Sequence, residues 1–392
     1  MQNIFFVGGT MTDTQDKEKK PRRKKDIWDK WVGDLRNHND VSKMPERKTY
    51  LTDVVEQIDL TKTNSVRDLV KSFSNMSIQA RNIGQCAEIF ENMLTDKDRP
   101  TILLGLSGPL IAAGLRNVIK DMIKLNLVDA IVSTGAVLYQ DFYQSMGFRH
   151  FKGDPYEDDI KLRTLLIDRI YDTYVDEVHF DHTDHKIADW LETLEPRDYS
   201  SRELMHLLGA EIEDDNSILY QAYHNNIPVF SPALCDSSIG IGYTIYYARN
   251  RDKPYTERVT LDMIRDNNEI LQIIDKSKKT SAIYIGGGTP KNWINDAVVM
   301  ASYVRNREFD GHYYIFQVTT DVPHWGGLSG STLKEAQSWG KVYKKATKQM
   351  AFVEASVAMP LIVGSVVQQP ELYQNRSRLN YKWNGNVLES IY

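Results

Sequence analysis

Trp339, Gly340 and Lys341 place an indole, a bare stretch of backbone and an amine side by side. A lysine acts as a nucleophile only when its amine is neutral, and burial against an apolar wall favours the neutral form. The indole of Trp339 could form that wall and could also bind a cationic substrate by cation–π contact. A neutral Lys341 would form an imine with a carbonyl or imine substrate. The alternative interpretation is an ordinary solvated lysine on a surface helix.

The segment LSGSTLKEAQSWGKVYKKA, residues 328–346, must position these three groups. We predict a turn followed by a helix, in which Ser331 or Thr332 is the cap and Glu335 completes a capping box. Gly340 would then lie inside the helix, where a glycine costs about 1 kcal/mol relative to alanine. A glycine at such a place indicates that something approaches the backbone closely.

A second glycine-rich segment, YIGGGTPKNWIND at residues 284–296, follows an apolar run and leads towards a helix. Gly286, Gly287 and Gly288 would let the backbone pass close to a ligand, and the helix start would offer free N–H groups to an anion. Pro290 suits the start of that helix. A phosphate or dinucleotide contact is one interpretation, and a tight turn without a ligand is the other.

Short apolar runs alternate with helical patterns from residue 101 onwards, and they indicate the fold. The runs are TILLGLS, VDAIVSTGA, IPVFSPAL, SAIYIGGG and YYIFQVTT. Strands that are apolar throughout are typical of a parallel sheet covered on both faces. We therefore predict an α/β fold, a doubly wound, mainly parallel sheet of the Rossmann-like kind with helices on both faces.

The first hundred residues differ from the rest of the chain. Residues 9–25 are polar and charged, and we predict that residues 1–25 form a disordered basic tail. The alternative is a docking arm for an acidic partner or a neighbouring subunit. Mostly helical segments follow up to about residue 98. We expect residues 26–392 to form a single α/β domain with this helical N-terminal part.

Gly, Ser, Thr or Asp residues lie at or near the end of each apolar run. In open α/β sheets, ligands bind beyond the carboxyl ends of the strands. The sequence therefore predicts one rim made of Ser107, Gly108, Ser133, Thr134, Asp236, Ser237, Gly286, Gly287, Gly288 and Asp321. At this rim Asp236 could bind ribose hydroxyls, or it could cap the next helix.

Imidazole and carboxylate groups cluster at His179, His182, Asp184 and His185, and both groups are zinc ligands. The segment has no HExxH motif and no cysteine partner, and its polar flanks are typical of a surface loop. We therefore predict a surface loop and no metal site, with a metal-binding cluster as the alternative.

The composition excludes several classes of protein. The chain has 392 residues with 41% hydrophobic and 26% charged side chains, which is ordinary for a globular protein. A formal net charge of -5 gives no basic field that would favour nucleic acid. Cys86 and Cys235 cannot build a disulfide framework, so we expect a reducing cytoplasm. No apolar run approaches the roughly 18 residues of a membrane span, so we expect no membrane association.

Seven segments of the chain resemble the deoxyhypusine synthase family. In order they are SGPLIAAGLR, VDAIVSTGA, SPALCDSSIG, IGGGTPKN, REFDG, LSGSTLKEAQSWGK and EASVAMP, from about residue 80 to 365. EAxSWGK is the most specific of them, because the imine-forming lysine of the family belongs to this motif, and that lysine here is Lys341. The resemblance implies that bound NAD takes a hydride from spermidine and that an aminobutyl group then passes through Lys341 to an acceptor lysine on a translation factor. It also implies a homotetramer with active sites between paired subunits.

The resemblance assigns roles residue by residue. Carried over by motif, the residues that would contact NAD are Ser107, Ser133, Thr134, Asp236, Gly287, Ser329, Glu354 and Ala355, to which the predicted rim adds Gly108, Gly286 and Gly288. Trp339 and Glu335 would contact the amine substrate. Glu354 stands where the family usually has an aspartate.

Several polar groups of the protein-modifying members are replaced in this chain. Asn292 stands where they have a histidine, and Leu328 and Ile241 stand where they have aspartates. A partly buried polyamine needs carboxylate partners, so we expect Asp296, Asp321 or another acid to substitute. The candidate substrate-binding residues are thus Trp339, Glu335, Asn292, Asp296 and Asp321.

The pattern with STGAVLYQD, WGGLSGST and GGGTPKN looks like the bacterial deoxyhypusine synthase-like subgroup, and this resemblance implies a role in polyamine metabolism. We predict an NAD-dependent aminoalkyl transferase that acts on a polyamine such as spermidine through an imine on Lys341. One alternative is a polyamine-metabolic enzyme with agmatine or a small amine acceptor, similar to a homospermidine synthase. The other is an NAD-binding sensor that has lost the chemistry.

Overall fold

The structure is a computed structural model that describes Asp29 and residues 46–305 and 311–392. The chain divides into two compact units, Met1–Val54 and Val55–Tyr392. In the first unit the described residues include one helix, α1 (Arg47–Tyr50). The predicted tail, residues 1–25, lies outside the described residues, as do residues 307–310 of the REFDG segment.

The second unit alternates strands and helices. Its strands are β1 (Thr101–Leu106), β2 (Ala130–Ser133), β3 (Phe151–Lys152), β4 (Ile167–Ile170), β5 (Thr173–Asp176), β6 (Asp198–Tyr199), β7 (Val229–Phe230), β8 (Thr260–Leu261), β9 (Thr280–Ile285), β10 (His312–Val318), β11 (Val342–Ala351), β12 (Tyr381–Asn384) and β13 (Val387–Ile391). Its α-helices are α2 (Val66–Ser74), α3 (Ile78–Thr95), α4 (Arg116–Lys124), α5 (Gly135–Ser145), α6 (Asp159–Thr164), α7 (Glu177–Thr193), α8 (Ser201–Ala210), α9 (Ile218–His224), α10 (Ser238–Arg249), α11 (Met263–Lys276), α12 (Gly288–Arg305), α13 (Glu335–Ser338) and α14 (Ala355–Val367). Short 3₁₀ turns lie at Leu60–Lys62, Tyr255–Glu257, Pro323–Trp325 and Pro370–Leu372.

Six parallel strands form the central sheet in the order β11-β10-β9-β1-β2-β7. The chain runs outwards from β1 to β2 and β7 and then returns to place β9 on the other side of β1. The strand order therefore reverses between β1 and β9, and ligands bind at such a point in open α/β sheets. The predicted α/β fold with a mainly parallel sheet is confirmed.

The core lies on both faces of this sheet, because the central strands are apolar on both sides. Ile102, Leu104 and Leu106 of β1 pack with α3 and α14 on one face. Leu103 packs on the other face, in a cluster that includes Ile270 of α11 and Ile294 of α12. The alternation along β1 follows the two-residue period of a strand.

Three smaller sheets complete the second unit. Strands β3, β5 and β4 form an antiparallel sheet, β12 and β13 form a hairpin, and β6 pairs with β8. The segment before the hairpin is joined to the core by Arg376, whose side chain is almost fully buried and forms an ion pair with buried Asp129. Among the described residues, no helix is both long enough and apolar enough to cross a membrane.

Three predicted elements differ from the structure. The helix expected over PLIAAGLRNVIKDMIKLNL, residues 109–127, begins only at Arg116, because residues 110–114 form turns. The predicted helix in residues 328–346 is only the four-residue α13, and β11 follows it. The histidine-rich segment belongs to α7 and is not a loop: the Asp176 side chain caps α7 by accepting from the Val178 N–H at 2.9 Å.

Candidate active site

Lys341 stands at the junction between α13 and β11. The predicted capping box is present: the Glu335 N–H donates to Thr332 Oγ1 at 3.0 Å, and the Thr332 N–H donates to Glu335 Oε2 at 3.4 Å. The helix ends at Ser338, and Gly340 follows the C-cap residue Trp339 with a φ of 71°. The Lys341 N–H donates to the carbonyl of Ala336 at 3.1 Å, which is the hydrogen bond of a Schellman motif.

This geometry corrects the prediction for Gly340. The glycine ends the helix in a left-handed conformation instead of opening a helix interior to a ligand. The carbonyl of Lys341 accepts from the N–H of His312 at 3.1 Å, at the start of β10. The backbone of Lys341 is therefore held by a helix end on one side and by the central sheet on the other.

The amine of Lys341 is held by polar groups of α12. Its Nζ donates to Asn292 Oδ1 at 2.9 Å and forms an ion pair with Asp296 Oδ1 at 3.0 Å. Asn292 Nδ2 also donates to Asp296 Oδ2 at 2.8 Å, which closes a three-membered network. The Lys341 Nζ lies 5.5 Å from the ring centroid of Trp339, within cation–π range. The Lys341 side chain is 15% exposed, whereas Trp339 is 66% exposed.

These residues line one pocket of about 590 Å³. The lining consists of Lys291, Asn292, Asn295, Asp296, Val299, Tyr303, Gly326, Gly327, Leu328, Ser331, Glu335, Ala336, Trp339 and Lys341. The first six lie on α12 at spacings of one, three and four residues, so they form a single face of that helix. Four of the five candidate substrate-binding residues are in this lining. Asp321 is not among the lining residues, and its Oδ1 accepts from the Val322 N–H at 2.9 Å.

Lys291 is a buried cation beside this pocket, and sequence reasoning gave it no role. Its side chain is only 2% exposed, and burial lowers its pKa to about 8. Its Nζ donates to the carbonyl oxygens of Leu328, Ser329 and Ser331 and to Ser331 Oγ, at 2.6–3.3 Å. Lys291 thus holds together the loop that forms one wall of the pocket. The helical spacing of the lining residues on α12 is the signal that could have identified it.

The rim at the strand reversal begins with Ser107 and the triple glycine. Ser107 Oγ accepts from the Gly287 N–H at 2.8 Å, and Ser329 Oγ accepts from the Gly288 N–H at 2.9 Å. A Cβ atom at Gly287 would lie 2.5 Å from Ser329 Cα. The glycines therefore allow three loops to pack closely, and two of the N–H groups that we expected to be free are satisfied by serine hydroxyls. Gly108 follows Ser107 just beyond the end of β1 and is exposed.

The other half of the rim contains two adjacent helix starts. Thr134 precedes α5 and Ser237 precedes α10, and neither side chain caps its helix. A Cβ atom at Gly135 would lie 2.6 Å from Ser237 Cβ, which shows how close the two helix starts are. Within the described parts of the chain, Thr134 Oγ1 is buried without a hydrogen-bond partner. Asp236 is exposed next to Ser237 and does not cap α10.

The remaining candidate cofactor residues lie at the ends of neighbouring strands. Ser133 is fully buried at the end of β2, and its hydroxyl donates to the Thr134 carbonyl at 3.0 Å. Glu354 follows β11 and caps α14 by accepting from the Ser356 N–H at 2.8 Å, and Ala355 is the first residue of that helix.

The rim and the pocket share one wall. The carbonyl of Ser329 accepts from Lys291 Nζ and from Gln317 Nε2, while its hydroxyl contacts the triple glycine. Gln317 Nε2 also donates to the carbonyl of Gly286 at 2.8 Å. A group bound at the rim and an amine bound in the pocket would therefore be neighbours. Gln317 lies inside β10, and its sequence context gave no sign of this role.

The histidine-rich part of α7 is separate from this site. His179 stacks on Phe148 with ring centroids 4.2 Å apart, and its Nδ1 lies 3.0 Å from Asp176 Oδ2. Asp184 is buried, and burial raises its pKa to about 6. In residues 46–305 and 311–392, as at Asp29, no group of His, Cys, Asp and Glu side chains is arranged to hold a metal ion.

A family model and two relatives of known sequence indicate the same family. Residues 68–366 match the family model described as deoxyhypusine synthase. The chain is 41% identical over 328 residues to a Methanosarcina mazei protein named "Probable deoxyhypusine synthase 2", covering 83% of this chain and 92% of the relative. It is 43% identical over 324 residues to the "Deoxyhypusine synthase-like protein" of Chlorobaculum parvum, covering 81% of this chain and 91% of the relative.

A solved structure shows the same fold. The crystal structure of an Entamoeba histolytica protein assigned as a deoxyhypusine synthase superposes with a TM-score of 0.56. The two sequences are 20% identical, and the match covers 81% of this chain and 98% of the other.

Proposed function

The chain belongs to the deoxyhypusine synthase family of alkyl-transferring enzymes, and on this premise we propose that it transfers an aminobutyl group from a polyamine such as spermidine. In this proposal NAD is the cofactor and an imine on Lys341 is the intermediate. The observation that carries the proposal is the position of the Lys341 amine, which lies inside a pocket whose wall is shared with the cofactor rim.

The residues of the rim fit a dinucleotide. The helix starts at Thr134 and Ser237 have no side-chain cap, and such N–H groups favour the phosphates of a ligand. The buried Thr134 hydroxyl without a partner offers a further hydrogen bond. Asp236 is exposed at the same place, where an acidic group can bind ribose hydroxyls. When bound, NAD supplies reversible hydride acceptance, which turns an amine into an electrophilic imine.

The pocket residues fit an amine substrate. Trp339 presents an exposed indole, which attracts an ammonium or guanidinium group. Glu335 contributes a carboxylate to the lining, and the charges of Glu335 and Asp321 both oppose the lowering of the Lys291 pKa by burial. Lys341 then attacks the oxidised carbon of the bound amine, and its backbone anchors keep the nucleophile in place.

The acceptor and the assembly are further parts of the proposal. The aminobutyl group on Lys341 passes either to a lysine of a translation factor or to a small amine, with agmatine as a candidate donor or acceptor. A homotetramer with paired active sites would cover the exposed apolar groups of Trp339 and Leu328 at the pocket mouth. Sedimentation of the purified protein measures that assembly.

One experiment tests the transfer. The protein is incubated with NAD and radiolabelled spermidine or agmatine, reduced with sodium borohydride, and the Lys341 peptide is analysed by mass spectrometry. We expect a reduced adduct on Lys341 whose mass identifies the transferred group, and no adduct in Lys341→Ala. Lys334→Ala, which removes an exposed lysine seven residues away, is the matched control and should label normally.

The fate of the label distinguishes the alternatives. Label that ends on an added translation factor supports a protein acceptor, and label that stays in small molecules supports a polyamine-metabolic enzyme. If NAD binds but no amine gives an adduct, the transfer proposal is wrong and the NAD-binding sensor remains.

A further inference from the structure

The carboxylate of Asp296 forms an ion pair with the Lys341 amine at 3.0 Å. We propose that Asp296, oriented by Asn292, is the catalytic group that takes the proton from Lys341 and returns it to the leaving nitrogen. This inference rests on the proposed function, because it concerns the lysine that forms the imine. It adds a proton-transfer role to a residue that charge alone would assign to substrate binding.

The contacts of the Lys341 Nζ identify the proton acceptor. Its polar partners are Asn292 Oδ1 at 2.9 Å and Asp296 Oδ1 at 3.0 Å, and the Trp339 ring lies 5.5 Å away. An amide oxygen and an indole do not act as general bases, whereas a carboxylate can accept a proton transiently in the course of the reaction. The Asp296 oxygen is already at hydrogen-bond distance, which general acid–base catalysis requires.

The α12 helix orients this carboxylate. Asn292 and Asp296 are four residues apart, so their side chains lie on the same helix face. Asn292 Nδ2 holds Asp296 Oδ2 at 2.8 Å, which leaves Oδ1 facing the lysine. Asp296 is 41% exposed whereas Lys341 is 15% exposed, so the carboxylate reaches both the buried amine and the open pocket. That position suits a group that exchanges a proton with a bound substrate.

The other charged groups of the pocket are engaged elsewhere. Lys291 Nζ points to carbonyl oxygens of the wall loop, and Glu335 Oε2 accepts from the backbone of the capping box. Asp321 is not part of the pocket lining, and its charge, together with that of Glu335, opposes the lowering of the Lys291 pKa by burial. Among the described residues, Asp296 is thus the carboxylate that forms an ion pair with Lys341.

The proton movements balance over the transfer. The Lys341 ammonium gives a proton to Asp296, and the freed lone pair forms a bond to the imine carbon of the oxidised amine. The electron pair of the imine moves to its nitrogen, which takes the proton from Asp296. A second proton then passes from the lysine nitrogen through Asp296 to the leaving nitrogen. The bond from carbon to that nitrogen breaks, a neutral amine departs, and Lys341 remains as a protonated imine beside an ionised Asp296.

The test separates proton transfer from simple nucleophilicity and needs no cofactor. Butyraldehyde with cyanoborohydride reports imine formation at Lys341, since water loss from the adduct requires an acid. Trinitrobenzenesulfonate reports only how much free, accessible amine is present. Both labelling rates at Lys341 are followed by mass spectrometry from pH 6 to pH 10 in wild type, Asp296→Asn and Asp296→Ala. Asp252→Asn, which alters a carboxylate that is 95% exposed, is the control.

We expect Asp296→Asn to slow imine formation about 100-fold, at the low end of general acid–base effects, while arylation stays constant or increases. Formate should partly restore imine formation in Asp296→Ala, because the vacated site opens to the pocket. The proposal would be overturned if the rates of imine formation and of arylation fell together in Asp296→Asn. It would also be overturned if formate failed to rescue Asp296→Ala while the circular dichroism of that variant was unchanged. A wild-type Lys341 that does not react with the aldehyde would overturn it too.

The outcomes also separate this inference from the proposed transfer. If the aldehyde reacts through Asp296 but no polyamine is transferred in the presence of NAD, the transfer fails and the role of Asp296 stands. If Asp296→Asn forms the polyamine adduct at the wild-type rate, the transfer stands and the role of Asp296 fails.

Discussion

Replacing Lys291 with methionine tests how the wall between the cofactor rim and the pocket is stabilised. Methionine has nearly the length of the lysine stem and no charge, so it fills the buried site without the amine. The substitution removes two opposing contributions to the free energy of unfolding. The wild-type contacts of Nζ are lost, and so is the penalty for burying an ammonium group.

The structure sets the size of each term. The carbonyl of Leu328 still accepts from the Ser331 hydroxyl and that of Ser329 from Gln317. The Ser331 hydroxyl loses a donor but keeps its acceptor, so the Ser331 carbonyl is the group left without the partner that the structure gives it. One unsatisfied acceptor costs about 1–3 kcal/mol. Lowering the pKa of Lys291 from 10.5 to about 8 corresponds to a penalty of about 3 kcal/mol on the charged form at pH 7. The two terms nearly cancel, and we expect the free energy of unfolding of Lys291→Met to change by less than about 2 kcal/mol.

The pH dependence of the free energy of unfolding measures separately the penalty for burying the Lys291 ammonium group. Between pH 8 and pH 10.5 the unfolded chain keeps the Lys291 proton while the folded protein releases it, so wild-type stability rises with pH. Relative to Lys291→Met, the wild type should gain about 2 kcal/mol between pH 7 and pH 9.5. Urea denaturation at the two pH values measures this, with the exposed Lys334→Met as control. If the free energies of unfolding of wild type and variant change equally with pH, burial does not penalise the Lys291 charge. If the variant is less stable by more than about 4 kcal/mol at pH 7, the hydrogen bonds of Lys291 Nζ outweigh that penalty.

Three other substitutions give separate tests. Lys341→Arg should transfer no aminobutyl group, because arginine stays charged, while thermal unfolding stays near that of the wild type; measurable turnover would refute the imine. Gly287→Ala should weaken NAD binding, measured by calorimetry, at least 10-fold, because the new Cβ would lie 2.5 Å from Ser329 Cα. Gly364→Ala is the control and should bind NAD normally, because its Cβ would lie 3.4 Å from the nearest side-chain atom. Burial raises the pKa of Asp266 to about 7, so the carboxyl destabilises the fold as pH rises from 4 to 7. Asp266→Asn should therefore stabilise the protein at pH 8 by up to about 4 kcal/mol and by much less at pH 4. Equal stabilisation at pH 8 and pH 4 would show that burial of the charged carboxylate is not the cause.

Much of the site could be predicted from local patterns. The apolar runs specified a parallel sheet, and strand ends of a parallel sheet meet at one edge, so Ser107 and Gly287 were expected together and do contact one another. The capping box of Thr332 and Glu335 was also visible in the sequence, because it depends on residues three apart.

The errors arose where distant residues decide the structure. Residues 342–351 contain several good helix formers, yet they pair with β10 as an edge strand because the sheet provides hydrogen bonds there. Lys291 looked like any helical lysine, because its burial depends on a loop about forty residues further along the chain. Gly340 was placed in a helix interior because the end of α13 depends on the strand that follows it.

The anchoring of Lys341 bears on how new substrate preferences arise. Its backbone belongs to the framework, joined to α13 and to the start of β10, whereas Leu328 and Tyr303 at the pocket mouth carry exposed side chains. Changes at the mouth can therefore alter which amines enter without displacing the nucleophile. A library randomised at these two positions, selected for transfer of amines of different length, would explore specificity while the reaction centre stays fixed.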